Sequence, residues 1–230
     1  MKVIIPAWLK DDQLVILTEA TVNSLKGHEL VIIDNGSPMG GGLLREWADV
    51  YIRNKVNINY SGAVNQGLKL CGGLPWVCVA NNDIKVPSYW DKVAEEILQN
   101  PEVCSVHFRM IPYDQPFNPG DETWIGGKEK WCSSSFFVVR PIQFYDPKLK
   151  NSYDDYDFWY RFRKAGFKQA YTNKAEYQHL DSSSSQKLPE HNENNKRNYE
   201  YYKQKHGEYP DIQFTKMFPE QVDIPWKPFP

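Results

Sequence analysis

Strand-length runs of β-branched and apolar residues recur along this chain, and stretches of helical period separate them. Residues 3–5, 29–33, 50–53 and 76–80 form the first such runs, and residues 103–109, 133–139 and 170–178 form the later ones. From Asp12, the apolar residues Leu14, Leu17, Ala20 and Leu25 keep helical spacing up to a stop at Gly27. Further helices are expected over 43–48, over 61–70 with Ser61 as N-cap, over 88–99, and over 153–165 before Gly166. This alternation implies an α/β fold with a mostly parallel central sheet and helices on both faces. Ligands in such sheets bind beyond the carboxyl ends of the strands. Polar residues that end strands therefore carry more information than polar residues elsewhere.

Two segments depart from the rhythm. Residues 110–130 are rich in Pro, Gly, Asp and Trp and read as one long irregular segment, of the kind that forms binding loops. After His179 the composition changes. Residues 181–186 contain the serine run Ser182–Ser185, read as a linker or a lid over bound ligand, and 190–206 form a very polar helix with a Tyr199 and Tyr202 edge. Pro210, Pro219, Pro225, Pro228 and Pro230 punctuate the rest. The expected organisation is one domain over 1–180, with 181–230 as linker, polar helix and proline-rich tail packed on it.

Bulk properties exclude several classes. A net charge of −2 over 230 residues creates no basic field to recruit nucleic acid. The longest apolar runs, five or six residues, are too short to span a bilayer, and residues 1–6 lead directly into Lys10, Asp11 and Asp12, so no signal peptide is expected. Cys71, Cys78, Cys104 and Cys132 make no CxxC pair, and reduced, mostly buried thiols of a cytoplasmic protein are expected. Aromatic residues reach 14% of the chain, enough both to fill a core and to line a site for sugars or nucleobases.

Four strand ends line up where a ligand would bind: Pro6-Ala7-Trp8, Asp34-Asn35-Gly36-Ser37, Asn81-Asn82-Asp83, and the acidic run at 151–166. Each has a plain structural use. Asn and Asp terminate strands as turn formers, and an Asp before a helix caps it and complements its dipole.

In order and spacing, these segments resemble the GT-A-fold glycosyltransferases of family 2, especially a bacterial rhamnosyltransferase-like branch. IIPAWLKDD looks like the family's opening strand, and VIIDNGSP resembles its V-V-D-N-G-S segment. NINYSGAVNQGL is similar to N-x-G-F-A-G-A-N-N-x-G, and WVCVANNDIKVP to the L-L-N-N-D-x-x-V strand end. SYDDYDFWYRFRKAGFK resembles E-D-x-D-L-x-x-R-x-x-x-A-G, and EYQHLDSSS the V-x-H-x-x-x-x-S segment. The resemblance runs over roughly 2–185. The tail NYEYYKQKHGEYPDIQF resembles those of small phage-encoded members, which implies a host cytoplasm as the setting.

The resemblance implies an inverting transfer of a sugar from a UDP- or dTDP-linked donor to an acceptor hydroxyl. Asp83 and His179 would hold Mn2+ or Mg2+, with a single carboxylate where the family has a D-x-D pair. Pro6, Ala7, Trp8, Asp34, Asn35, Asn57, Gly62, Asn81 and Asn82 would meet the donor, Asp34 by accepting from a uracil or thymine imide. Asp155 would be the general base. Asp157, inside the helix, fits a cap or a backbone brace, with Arg161 paired to it. Asp154, Trp124 and Trp131 would lie on the acceptor side. A glycan, a lipid-linked sugar, a protein and a modified nucleobase all remain open as acceptor. Three other readings compete. A nucleotidyltransferase would want a Gly-rich phosphate loop, which IIPAWLKDD lacks. A glycosidase leaves Asp34 and Asn81 to Asp83 unused. A non-catalytic nucleotide-sugar or glycan-binding protein has no need of Asp83, Asp155 and His179 together.

Overall fold

The first strand, β1 (Lys2–Ala7), sends alternate side chains to opposite faces of a sheet. Val3 and Ile5 enter one hydrophobic core, and Ile4 enters a second. The next strand, β2 (Glu29–Asp34), divides in the same way, with Leu30 and Ile32 on the first face and Val31 and Ile33 on the other. In a computed structural model, residues 1–126, 134–179, 191–210 and 213 are described. Trp131, Cys132, the Ser182–Ser185 run and the prolines beyond Pro210 lie outside the described residues.

The remaining strands are β3 (Val50–Arg53), β4 (Val77–Ala80), β5 (Ile84–Lys85), β6 (Val103–Pro112), β7 (Thr123–Ile125), β8 (Phe136–Val139) and β9 (Lys168–His179). They form a sheet of order β3-β2-β1-β4-β8-β6-β9-β5, with β7 paired to β9. Strands β3, β2, β1 and β4 are parallel, as are β6 and β9. Because β8 runs antiparallel to both of its neighbours, β4 and β6 point the same way. The carboxyl ends of β1, β2, β4, β6 and β9 therefore share one edge with the amino end of β8.

Helices cover both faces, as the alternation implies. On one side, α1 (Asp12–Ser24) contributes Val22, and α4 (Trp90–Leu98) contributes Trp90, Ala94 and Ile97. On the other, α3 (Tyr60–Leu70) contributes Ala63, Val64 and Leu68, and α5 (Asp154–Lys164) contributes Phe158, Trp159 and Phe162. A Cβ on Gly67 would lie 2.4 Å from Ile4 Cγ2, so the missing side chain lets α3 lie directly on β1. A short α2 (Gly41–Trp47) follows β2, and α6 (His191–His206) follows β9. Cys71, Cys78 and Cys104 are free and buried.

Three local expectations change. Ser61 does not cap α3: the helix starts at Tyr60, and its N-cap Asn59 has φ 69°. Ser61 is buried within the first turn, its hydroxyl 3.4 Å from the Leu149 carbonyl oxygen. Residues 110–126 are less irregular than their composition suggests. Pairing with β9 carries β6 to Pro112, and β7 adds a further strand. Main-chain partners decide this, and no apolar alternation marks it. The acidic run at 151–166 is not a strand end; it opens α5.

Candidate active site

β4 ends at Ala80, and the chain turns through Asn82 and Asp83 before β5 begins at Ile84. Asn82 Nδ2 donates to Thr18 Oγ1 of α1 at 2.9 Å. One turn along α1, Thr21 Oγ1 donates to the Ile84 carbonyl oxygen at 2.7 Å, and the Ile84 N–H donates back to it at 3.0 Å. Two buried threonines thus pin both flanks of Asp83. They were not singled out in the sequence, although hydroxyls at i and i+3 inside an amphipathic helix are a readable signal.

The other side of the turn is different. Asn81 Oδ1, Asp83 Oδ1 and both ring nitrogens of His179 are buried without a hydrogen-bond partner. His179 ends β9, whose register pairs it with Ile84, so its ring meets Asp83 with Nε2 3.2 Å from Oδ1. Buried polar groups are almost always satisfied, and an orphaned set marks a place for something else. Two oxygens and an imidazole nitrogen suit a hard divalent cation that leaves positions open for phosphate oxygens. Among the described residues, no group of three or more His, Cys, Asp and Glu side chains gathers to hold a metal. The protein would therefore supply Asp83 and His179, with Asn81 beside them.

Asp34, at the end of β2, is fully buried and its oxygens are engaged. Oδ1 accepts the Ser37 N–H at 2.8 Å; Oδ2 accepts Tyr51 O–H at 2.7 Å and Arg53 Nη1 at 2.8 Å. Arg53 is half exposed on its outer side, and its Nη2 donates to the Ser37 carbonyl oxygen. A Cβ on Gly41 would lie 1.9 Å from Arg53 Nη1, so that glycine leaves the slot in which the guanidinium rests. Arg53 is the exposed member of this pair, held by Asp34. Sequence reading named the carboxylate and missed its cation, which lies 19 positions further on, in β3.

Asn35 also faces inward. Its Oδ1 accepts the Ile58 N–H at 2.9 Å and its Nδ2 donates to Asn57 Oδ1 at 2.8 Å, which brace the loop before α3. Gly62 would press a Cβ to 3.2 Å from Ile58 Cγ1, a packing constraint on the same loop. Pro6 and Ala7 are buried at the end of β1, and the Ala7 carbonyl oxygen accepts the Asn35 N–H at 2.7 Å. Trp8 is half-buried just beyond them.

Asp154 and Asp155 open α5 against the first turn of α3. Burial lifts the Asp154 carboxyl to about 7, helped by the Asp155 charge and opposed by hydrogen bonds that include Ser61. Burial also lifts Asp155, to about 6, while the Tyr156 N–H hydrogen-bonds its carboxylate. Desolvation is the largest cause in both. Tyr60, at the start of α3, feels the same carboxylates: burial first, then Asp154 and Asp155, push its phenol well up. Its O–H donates to the Ser134 carbonyl oxygen at 2.6 Å, while the Asn81 N–H donates to the Ser135 carbonyl oxygen at 2.7 Å. The amino end of β8 thus links the acidic pair to the cation turn.

Asp157 is a brace: it is fully buried and paired with Arg161 at 2.9 Å, Lys205 at 2.6 Å and His206 at 2.8 Å. Trp124 is not brought to the site. It pairs with Tyr171, which stands level with His107, while His179 stands level with Pro112. Those five residues of strand put roughly 17 Å between Trp124 and the cation turn.

The family described as Glycosyl transferase family 2 matches residues 2–174. Among solved structures, Staphylococcus aureus TarS 1-349 aligns with TM-score 0.56 and 16% identity over 76% of this chain and 58% of that one. The same fragment in complex with UDP-GlcNAc gives 0.59 and 13%, over 81% and 60%. GalNAc-T7 with UDP, GalNAc and Mn2+ gives 0.62 and 14%, over 77% and 43%. The chain thus spans less than two thirds of each of these structures, and at such identities the likeness establishes the GT-A fold. No curated protein matches significantly.

Proposed function

Because the chain belongs to glycosyl transferase family 2, we propose that it moves a sugar from a nucleoside-diphosphate donor to an acceptor hydroxyl, with residues 1–180 as the catalytic unit. The observation that carries this reading is the orphaned set Asn81 Oδ1, Asp83 Oδ1 and His179 at the strand ends. Asp83 and His179 would hold Mn2+ or Mg2+, which when bound offsets the charge that grows on the departing diphosphate. Asp34 serves the donor base through Arg53, and Trp8 and Ala7 border the same corner. Uracil or thymine suits this corner, since an outward guanidinium donates to their carbonyl oxygens.

Asp155 is the proposed base. Partly exposed, it can reach an acceptor hydroxyl, and a carboxyl lifted to about 6 is ionised at neutral pH yet basic enough to take a proton. Asp154, more deeply buried, keeps the neighbourhood dry. One base on one side of the sugar implies a single displacement with inversion at the anomeric carbon. Among the described residues no helix is long and apolar enough to cross a membrane.

The test is thermal stability with UDP, dTDP, GDP, CDP and ADP and with their sugars, each with and without Mn2+. A ligand bound only by the folded chain at a hundred times its Kd stabilises it by about 2.7 kcal/mol. A Mn2+-dependent shift with UDP or dTDP, absent in Asp83→Ala, is the expected result. No shift with any nucleotide would sink the donor site. Binding without release of the nucleoside diphosphate would leave a nucleotide-sugar binding protein.

A further inference from the structure

The polar helix α6 lies beyond the residues matched by the family, and its buried face is made of amides and a phenol. Asn194, Asn195, Asn198 and Tyr202 are buried there. A helix with so little apolar surface docks through specific polar contacts or not at all. Here the contacts converge on the segment that leads into α5. Asn198 Nδ2 lies 2.9 Å from the Lys150 carbonyl oxygen, 3.1 Å from that of Ser152 and 2.9 Å from Ser152 Oγ. Tyr201 O–H donates to Asp146 Oδ2 at 2.9 Å, and Lys205 bridges Asp146 and Asp157, both at 2.6 Å. His206 reaches Asp157 at 2.8 Å. Positions 198, 201, 205 and 206 recur at i, i+3, i+7 and i+8, so a single face of α6 makes all of these contacts.

The segment so gripped is strained. Asn151 has φ 59° and Tyr153 has φ 57°, left-handed values that are uncommon outside glycine and an outlier for a bulky aromatic residue. Such conformations persist where surrounding structure over-determines them, and they gather at functional sites. Ser152, the residue between these two, is the one Asn198 holds. The next two residues are Asp154 and Asp155. On the opposite side Asn151 Nδ2 donates to Asn59 Oδ1 at 3.0 Å, so α6 and the loop before α3 clamp the strained turn between them.

We propose that α6 is a splint for the catalytic turn, and that Asn198 and His206 are positioning residues for the transfer reaction, acting through Asp155. This rests on Asp155 as the base. Among the described residues, the donor-side groups Asp34, Asp83 and His179 stand on other elements and make no hydrogen bond or ion pair with α6, so the splint governs turnover and leaves donor binding alone. Displacing a reacting group by about 1 Å costs on the order of a hundredfold in rate.

The experiment uses the full chain and four variants: Asn198→Ala, His206→Ala, His206→Gln and Asp155→Asn. Nucleoside-diphosphate release from the donor sugar, with water as acceptor, gives kcat and KM. Hydrogen exchange over 146–157 reports the turn without relying on activity. Asn198→Ala is expected to speed exchange at 150–157 at least tenfold, with β1 to β4 unchanged. It should lower kcat ten- to a hundredfold with the donor KM within twofold. His206→Ala should do the same more weakly. His206→Gln, which keeps a donor for Asp157, should recover to within threefold of wild type. Unchanged exchange in a folded Asn198→Ala overturns the splint. Faster exchange with unaltered kcat, or kcat and donor affinity falling together, overturns the positioning role. If Asp155→Asn keeps wild-type turnover, or wild type releases nothing, the base assignment fails first and the positioning role with it, whatever the exchange data give.

Discussion

Replacing Asp154 by Asn should stabilise the protein while harming its chemistry. The carboxyl is lifted from 3.8 to about 7, chiefly by burial, which corresponds to roughly 4 kcal/mol of disfavoured ionisation. Part of that rise comes from the Asp155 charge and relaxes when the partner changes, so about 2 kcal/mol is a realistic gain from the neutral, isosteric amide. For a chain of this size that is ~4–8 °C in Tm. The sign fixes the pH window. A group whose folded pKa is raised stabilises the fold fully below its unfolded value near 3.8, and that contribution disappears as pH climbs to about 7. The Tm difference between Asp154→Asn and wild type should therefore be near zero at pH 4, grow through pH 5 and 6, and level off by pH 8. Differential scanning calorimetry across that range measures it. An amide variant that is less stable than wild type at pH 8, or a difference independent of pH, would refute the claim that buried ionisation is stored at this turn.

Four further outcomes follow from the same geometry. Asp155→Asn should abolish release of the nucleoside diphosphate by at least a hundredfold while leaving the nucleotide-induced Tm shift intact, as calorimetric titration would check. Thr18→Val with Thr21→Val removes the hydroxyls beside Asp83; urea denaturation should register about 2 kcal/mol, and Mn2+ affinity measured by titration should fall with it. Asp34→Asn leaves Arg53 without its anion, at a cost of about 2 kcal/mol in urea because the cation is half exposed, and it should blunt discrimination between UDP and CDP. Gly67→Ala should cost about 1–3 kcal/mol by forcing α3 away from Ile4, with nucleotide binding retained.

The parallel half of the sheet was legible because β1 to β4 obey one local rule: apolar runs of strand length, closed by Pro6 in β1 and by a polar residue in the other three. The two faces of the core follow from the same period. The antiparallel insertion of β8 was not legible, since nothing in residues 136–139 distinguishes a strand running one way from the other. The strand that holds Trp124 was hidden for a related reason. Its surroundings are loop-like in composition, and only pairing with β9 reveals that it lies well away from the cation turn. Asp83, His179 and the Asp154–Asp155 pair were legible as candidates because each ends or opens an element. Thr18, Thr21 and Arg53 were missed because their importance comes from partners 19 to 64 positions distant.

That division has a physical basis. A group that meets a reactant must stand at the end of an element, where the backbone stops and side chains face the cleft, and sequence marks such ends with Asn, Asp, Gly and Pro. A group that holds another in place can sit anywhere on a neighbouring surface, and its residue type is ordinary. Asp34 and Asp157 illustrate the second case: both are fully buried carboxylates, and both are spent on cations supplied by other elements. Neither has a free oxygen to offer, so each acts by fixing the guanidinium, ammonium or imidazole that surrounds it. Asp83 is the opposite: one of its oxygens is buried, unpartnered and 3.2 Å from an equally unpartnered imidazole. Of these three carboxylates, Asp83 alone keeps a buried oxygen without a hydrogen bond. The satisfied ones are tied into the frame, and that distinction appears only when every donor has been assigned its acceptor.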